Sequence, residues 1–254
     1  MRVKSFAVAI ILTCASGLAL AGQTAIKPTE DYCKRPNGAN GEPTTKAKPD
    51  LKLALNSKHL QFCSYSGEGL NEINRGWAKK NEVLAFPAQL EFKDTVELIQ
   101  AYSRIKSKFD VKFATIPNAM AVLARNRNII DRYVLYNKKY LCGIQQYTKS
   151  KWADDSVFAH EVGHHLANHT LSAGSRPYFE LQADWFSGFI LQKMGAPLDG
   201  ATIVLGKMLE HQYKSGGGES LTSTSLTHPL PEDRIAAVAE GWSFACEMDP
   251  KCDL

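Results

Sequence analysis

Twelve residues, Phe158 to His169, hold four of the chain's seven histidines. Within them His160-Glu161-Val162-Gly163-His164 sets two imidazoles four residues apart, with a glutamate beside the first. On a helix that spacing puts both imidazoles on one face, where they can reach one Zn2+ while the glutamate faces the water the ion holds. Taking 100° per residue from Val157, His160 falls at about 300°, His164 at about 340° and Glu161 at about 40°. His165 and His169, at about 80° and 120°, lean to the apolar side with Phe158, Val162 and Leu166. The wheel therefore reads His160 and His164 as ligands, and His165 and His169 as packing residues.

Such a match arises by chance in about one chain in a hundred, so a third ligand has to support it. The metzincin pattern would need a glycine at position 167 and a histidine at 170, where Ala167 and Thr170 stand. The other common solution takes a glutamate from the following helix, with an aspartate one turn later to orient a ligand histidine. Tyr178-Phe179-Glu180-Leu181-Gln182-Ala183-Asp184 supplies both, and Glu180 lies 16 residues past His164, room for a turn through Ala173-Gly174-Ser175. Glu180 and Asp184 share a helix face. A solvated acidic face is the simpler explanation of such a pair. It fits poorly with Phe179, Leu181, Trp185, Phe186, Phe189 and Ile190, which mark a mostly buried helix whose carboxylates need partners.

These residues need helices to hold them. Asp154-Asp155-Ser156 ahead of Val157 and Phe158 reads as a cap, so a helix is expected over 156–170. Further helices are expected over 177–194, 198–213 and 232–241, with Ser215-Gly216-Gly217-Gly218 as a flexible loop. Upstream, Val96, Leu98, Ile99, Tyr102 and Ile105 recur at helical spacing between Lys93 and Lys108. Val111–Ile116 and Tyr133–Tyr136 read as short strands on either side of the segment from Asn118 to Asn128. A short helix near Gly69 to Lys80 is also expected.

At the start of the chain, Arg2 and Lys4 precede an apolar run that ends in Ala19-Leu20-Ala21, the pattern of a secretory signal peptide cut after Ala21. A lipoprotein attached through Cys14 ranks behind it, because Thr13 is an unusual residue before a lipidated cysteine. Residues 22–90 form an N-terminal segment of unassigned role, rich at first in Lys, Pro, Thr, Asn and Gly and partly disordered. The main domain is expected over 91–254. No later stretch has the roughly 20 apolar residues a membrane span requires, so no integral membrane segment is expected in the mature form. The formal charge of +4, less the two charges of Arg2 and Lys4, is +2, too small to imply nucleic acid. The mature cysteines are Cys33, Cys63, Cys142, Cys246 and Cys252. In an oxidising compartment some should pair. Cys246 and Cys252 flank Asp249-Pro250 and would close a small loop; Cys33 with Cys63 is the next candidate.

HEVGHH, then ELQADWFSGF, then THPLPEDRIAA resemble the gluzincin family of HtpX-like proteases and CAAX prenyl endopeptidases. Asn118-Ala119-Met120-Ala121 resembles the Asn-Ala-x-Ala stretch found upstream of the zinc helix in that family. The likeness covers about residues 95–241, keeps order and spacing, and points to a soluble exported member, periplasmic or secreted. It implies an α+β fold, a mainly helical zincin-like metalloprotease domain with a small β-sheet beside the HExxH helix. It implies one Zn2+ per chain on His160, His164 and Glu180, with Glu161 as general base. Asp184 would orient a ligand imidazole, His228 would stabilise an oxyanion from a loop, and Arg234 would pair with an acidic group near the site. Asn118 and Ala119 would lie on an edge strand and align an unfolded or extended polypeptide substrate by β-addition. The implied activity is peptide-bond hydrolysis, in the quality control of envelope proteins. Its rival is a zinc-bound chaperone-like or latent protein that binds without cutting.

Overall fold

The computed structural model describes residues 83–104, 109–116, 118–126, 129–169, 175–214 and 229–252, together with Cys33, Pro49 and two short strands. The signal-peptide region, the expected helix at 69–80, the loop at 215–218 and His228 lie outside the described residues.

A six-stranded sheet and six helices make up the described part. The strands are β1 (Leu51–Leu53), β2 (Gln61–Cys63), β3 (Val83–Pro87), β4 (Asp110–Ala114), β5 (Ala119–Asn126) and β6 (Ile129–Tyr136), in the spatial order β1-β3-β4-β6-β5-β2. Only β4 and β6 run parallel. β5 and β6 form the long central hairpin, in register from Ala119 opposite Tyr136 to Asn126 opposite Ile129. The segment expected to separate two strands is thus itself a strand. Its alternation is hidden because Ala119, Met120, Ala121 and Val122 are all buried, and a strand covered on both faces shows no period of two.

The helices are α1 (Leu90–Tyr102), α2 (Lys138–Thr148), α3 (Trp152–Leu166), α4 (Arg176–Lys193), α5 (Leu198–Lys214) and α6 (Pro231–Glu247). Among them α2 was not expected. Its start is a side-chain cap, with Asn137 Oδ1 accepting from Tyr140 N at 3.1 Å, and left-handed Lys149 ends it. The architecture is mixed α+β, as the sequence implied. The proposed break at residue 90 does not separate two domains, because β1, β2 and β3 all belong to the same sheet as β4–β6. Runs of three to five residues carry too little pattern to announce themselves.

α3 is the axis of the fold. Twelve of its fifteen residues are buried, and it packs against the sheet through β5 and β6 and against α1, α2, α4 and α5. A helix covered on every side cannot keep a polar face, so the division read from the wheel becomes a division between neighbours. Val157, Phe158 and Val162 join the core with Phe92, Ile99, Tyr136 and Ile190. The Phe92 and Phe158 rings meet at 5.4 Å, and each also contacts Tyr136.

Among the described residues two disulfides are present. Cys246 pairs with Cys252, as expected. Cys33 pairs with Cys142 on α2, with Cα atoms 5.6 Å apart, and not with Cys63, which lies in β2. The correction follows from the helix missed at 138–148: without it, Cys142 had no assigned place.

Candidate metal centre

α3 and α4 cross at Gly163, the glycine of the HEVGH stretch. A Cβ there would lie 3.1 Å from the backbone of Ala183 and 3.1 Å from the Phe186 ring, so the small residue lets the two helices close. Their approach brings His160 and His164 from α3 against Glu180 and Asp184 from α4. All four are buried, with exposures of 0–2 %.

Three donor atoms converge. His160 Nε2 lies 3.0 Å from His164 Nε2 and 3.3 Å from Glu180 Oε2, and His164 Nε2 lies 3.6 Å from Glu180 Oε1. Ligand atoms 2.0–2.2 Å from a tetrahedral centre are about 3.3–3.6 Å from one another, so the two imidazole nitrogens and the two oxygens of the Glu180 carboxylate lie close to the spacing of one metal's coordination shell, the two nitrogens slightly inside it. His160 Nδ1 lies 2.8 Å from Asp184 Oδ1, so with a metal on Nε2 the one proton of the ring would sit on Nδ1, facing that carboxylate. The group His160, His164 and Glu180 could therefore hold a metal ion.

Arg234 anchors the next layer from the first turn of α6. Its Nε lies 2.7 Å from Asp184 Oδ2 and its Nη2 2.9 Å from Asp184 Oδ1, a bidentate pair, while Nη2 also reaches Glu180 Oε2 at 3.5 Å. The expected acidic partner of Arg234 is thus Asp184, the residue that holds His160. Burial pushes the Glu180 carboxyl up. The bond from His160 and the nearby His164 and Arg234 outweigh it and hold the group well below the usual carboxylate range. Burial drives His164 the other way, well below an ordinary histidine, with Glu180 only partly opposing. Both shifts favour the forms that bind a metal, an ionised carboxylate and a neutral imidazole. With three formal negative charges on Glu161, Glu180 and Asp184 and one positive on Arg234, a divalent ion brings the buried cluster to neutrality. Glu161 itself is fully buried, on α3 beside His160.

The remaining histidines separate. His165 faces the sheet: its Nε2 is 2.9 Å from the Tyr133 carbonyl, its ring stacks on Phe109, and loss of water lowers its pKa to about 4. That is the packing role expected of it. His169 is buried as well, but its Nδ1 lies 2.9 Å from Nδ1 of His164. Sequence reasoning missed this contact because it continued α3 through residue 170. The helix ends at Leu166, and Asn168 takes a left-handed φ of 55°. His169 N then bonds to His164 O at 3.0 Å and Asn168 N to His165 O at 3.3 Å, a Schellman end that folds the His169 ring back over the last turn. The Asn-His pair after the helix was the signal available.

Asn118 and Ala119 lie at the start of β5, the strand that packs against α3, and both are buried. They are not on the sheet's outer edge. β2 pairs antiparallel along β5, Cys63 opposite Ala119 and Gln61 opposite Ala121. The three-residue β2 gave no sequence signal, so the edge looked open.

No protein-family model, no curated protein and no solved structure matches this chain.

Proposed function

We propose that this chain is an exported zinc-dependent metalloendopeptidase, a soluble gluzincin with a zincin-like catalytic domain. One observation carries the proposal: a fully buried His160–His164–Glu180 donor set, backed by Asp184 and Arg234, with a glutamate next to the first ligand. A structural zinc site closes with a fourth protein ligand and has no use for that glutamate, whereas three ligands and an acid–base group are the equipment of hydrolysis. Zinc held by His160, His164 and Glu180 would supply Lewis acidity and lower the pKa of a bound water towards neutrality. Glu161 takes the proton of the attacking water and returns it to the leaving amine. Asp184 would set the tautomer of a metal-bound His160, and the bidentate pair with Arg234 orients Asp184. The two disulfides fit an oxidising compartment, and among the described residues no helix is long and apolar enough to cross a membrane. His228 as an oxyanion donor belongs to the same proposal. The β-addition role for Asn118 and Ala119 is set aside, because β2 occupies that edge.

The test uses zinc-loaded mature protein and unfolded casein. Wild type should cleave, chelator should stop it, and Glu161→Gln should bind zinc equally while losing about a thousandfold or more in rate. Equal cleavage by Glu161→Gln would defeat the mechanism. A folded, zinc-loaded wild type that binds casein without cutting it would favour the chaperone-like alternative.

A further inference from the structure

We propose that His169 is a positioning residue for the metal centre. It accepts the Nδ1–H of His164 and starts a hydrogen-bonded relay through Gln182 to the Tyr178 hydroxyl at the surface. The inference rests on His164 being a ligand through Nε2, as proposed above.

The polarity of the relay follows from valence. A neutral imidazole has one N–H, so a metal on His164 Nε2 leaves the proton on Nδ1. That atom lies 2.9 Å from His169 Nδ1, which must then offer a lone pair. The proton of His169 is therefore on Nε2, 2.9 Å from Gln182 Oε1. The Gln182 amide nitrogen in turn donates to the Tyr178 hydroxyl oxygen at 2.9 Å. Tyr178 is 40 % exposed and can give its own proton to solvent. Each link is compatible with metal on His164 in one direction only.

The ring of His169 is held for this task. The Schellman end of α3 fixes its backbone, and its face stacks on Phe179 at 4.2 Å and 15°. Phe179, Gln182 and Tyr178 all come from α4, the helix that carries Glu180, so the third ligand and the support of the second are set by one element. The two ligand histidines are thus backed differently. His160 leans on an anion that Arg234 compensates, and His164 on a neutral imidazole. A carboxylate in place of His169 would add a further buried negative charge to a cluster that a divalent ion already neutralises.

Two variants separate positioning from packing. His169→Phe keeps a ring on Phe179 and removes the acceptor, whereas His169→Asn keeps an acceptor near Nδ1 and removes the ring. Zinc affinity is measured on the full mature chain by chelator competition, and the site geometry from the visible absorption of the Co2+ form. His169→Phe should bind zinc about 10- to 100-fold more weakly with altered Co2+ bands, and His169→Asn should stay within about threefold. Wild-type affinity and spectrum in His169→Phe would overturn the inference, as would equal damage in both variants. The nitrogen-15 shifts of His169 in the zinc-loaded wild type need no substitution. Nε2 should be protonated and Nδ1 bare, and the opposite tautomer would also overturn the relay. Failure of wild type to bind zinc would instead bring down the metal centre itself, before any variant is compared.

Discussion

Asp155 reads in the sequence as part of a helix cap, yet α3 begins three residues earlier at Trp152, where Ser150 Oγ accepts from Trp152 N at 3.2 Å. Asp155 instead sits in the first turn against Thr95 of α1. Loss of surrounding water raises its pKa to about 7, against the lowering effects of the Thr95 hydrogen bond and Lys151. A carboxyl whose folded pKa exceeds its unfolded value near 3.8 holds more protons in the folded state between those limits, so its contribution to stability falls as pH rises from about 4 to about 7. Asp155→Asn, which keeps a partner for Thr95, should therefore gain in Tm relative to wild type as pH rises from 4.5 to 8. A difference in Tm that is the same at both pH values would refute this. At this scale the candidate metal-site residues were the legible part. Helix geometry alone spaces His160 from His164 and Glu180 from Asp184, and local spacing survives folding. His169 was not legible, because its role depends on where the helix stops and on a left-handed Asn168 that no wheel includes.

Elements position these residues through two close crossings. α4 and α6 meet at Gly188 and Gly241, where an added Cβ would lie 1.9 Å from the carbonyl oxygens of Val238 and Trp185 respectively. Those neighbours are backbone atoms and cannot rotate away, so Gly188→Ala or Gly241→Ala must push the helices apart, at a cost of about 3 kcal/mol. Gly206 of α5 has no atom within 4 Å of its would-be Cβ, and Gly206→Ala should stabilise by about 0.5–1 kcal/mol through helix propensity. Urea unfolding of the three variants checks both signs. Because Arg234 is on α6 and Asp184 on α4, the crossing variants should also weaken binding of the proposed zinc ion, while Gly206→Ala keeps it. Most helices were legible from periodicity, and α4, α5 and α6 begin within one residue of the expected positions. The tight crossings were not, since a glycine in a helix gives no sign in sequence of whether it touches a neighbour.

For the whole molecule, the described strands before residue 90 are part of the fold. They add β1 and β3 at one end of the sheet and β2 at the other, and Cys33 is tied to α2 through Cys142. These long-range pairings were illegible because each strand is short and its partner distant in sequence. The disulfides offer a test of how far the N-terminal segment contributes. A cross-link stabilises mainly by removing freedom from the unfolded chain, by an amount that grows with the logarithm of the loop it closes. Cys33–Cys142 spans 109 residues and Cys246–Cys252 only 6. Chain entropy then assigns about 5 kcal/mol to the first and about 2 kcal/mol to the second. Replacing Cys33 and Cys142 together by alanine should lower unfolding free energy by roughly twice as much as replacing Cys246 and Cys252. Denaturant titration of the two double variants measures the ratio. A loss for the long loop no larger than for the short one would mean that the cross-link at Cys33 adds no restraint of its own, and that the sheet alone joins β1, β2 and β3 to the rest of the fold.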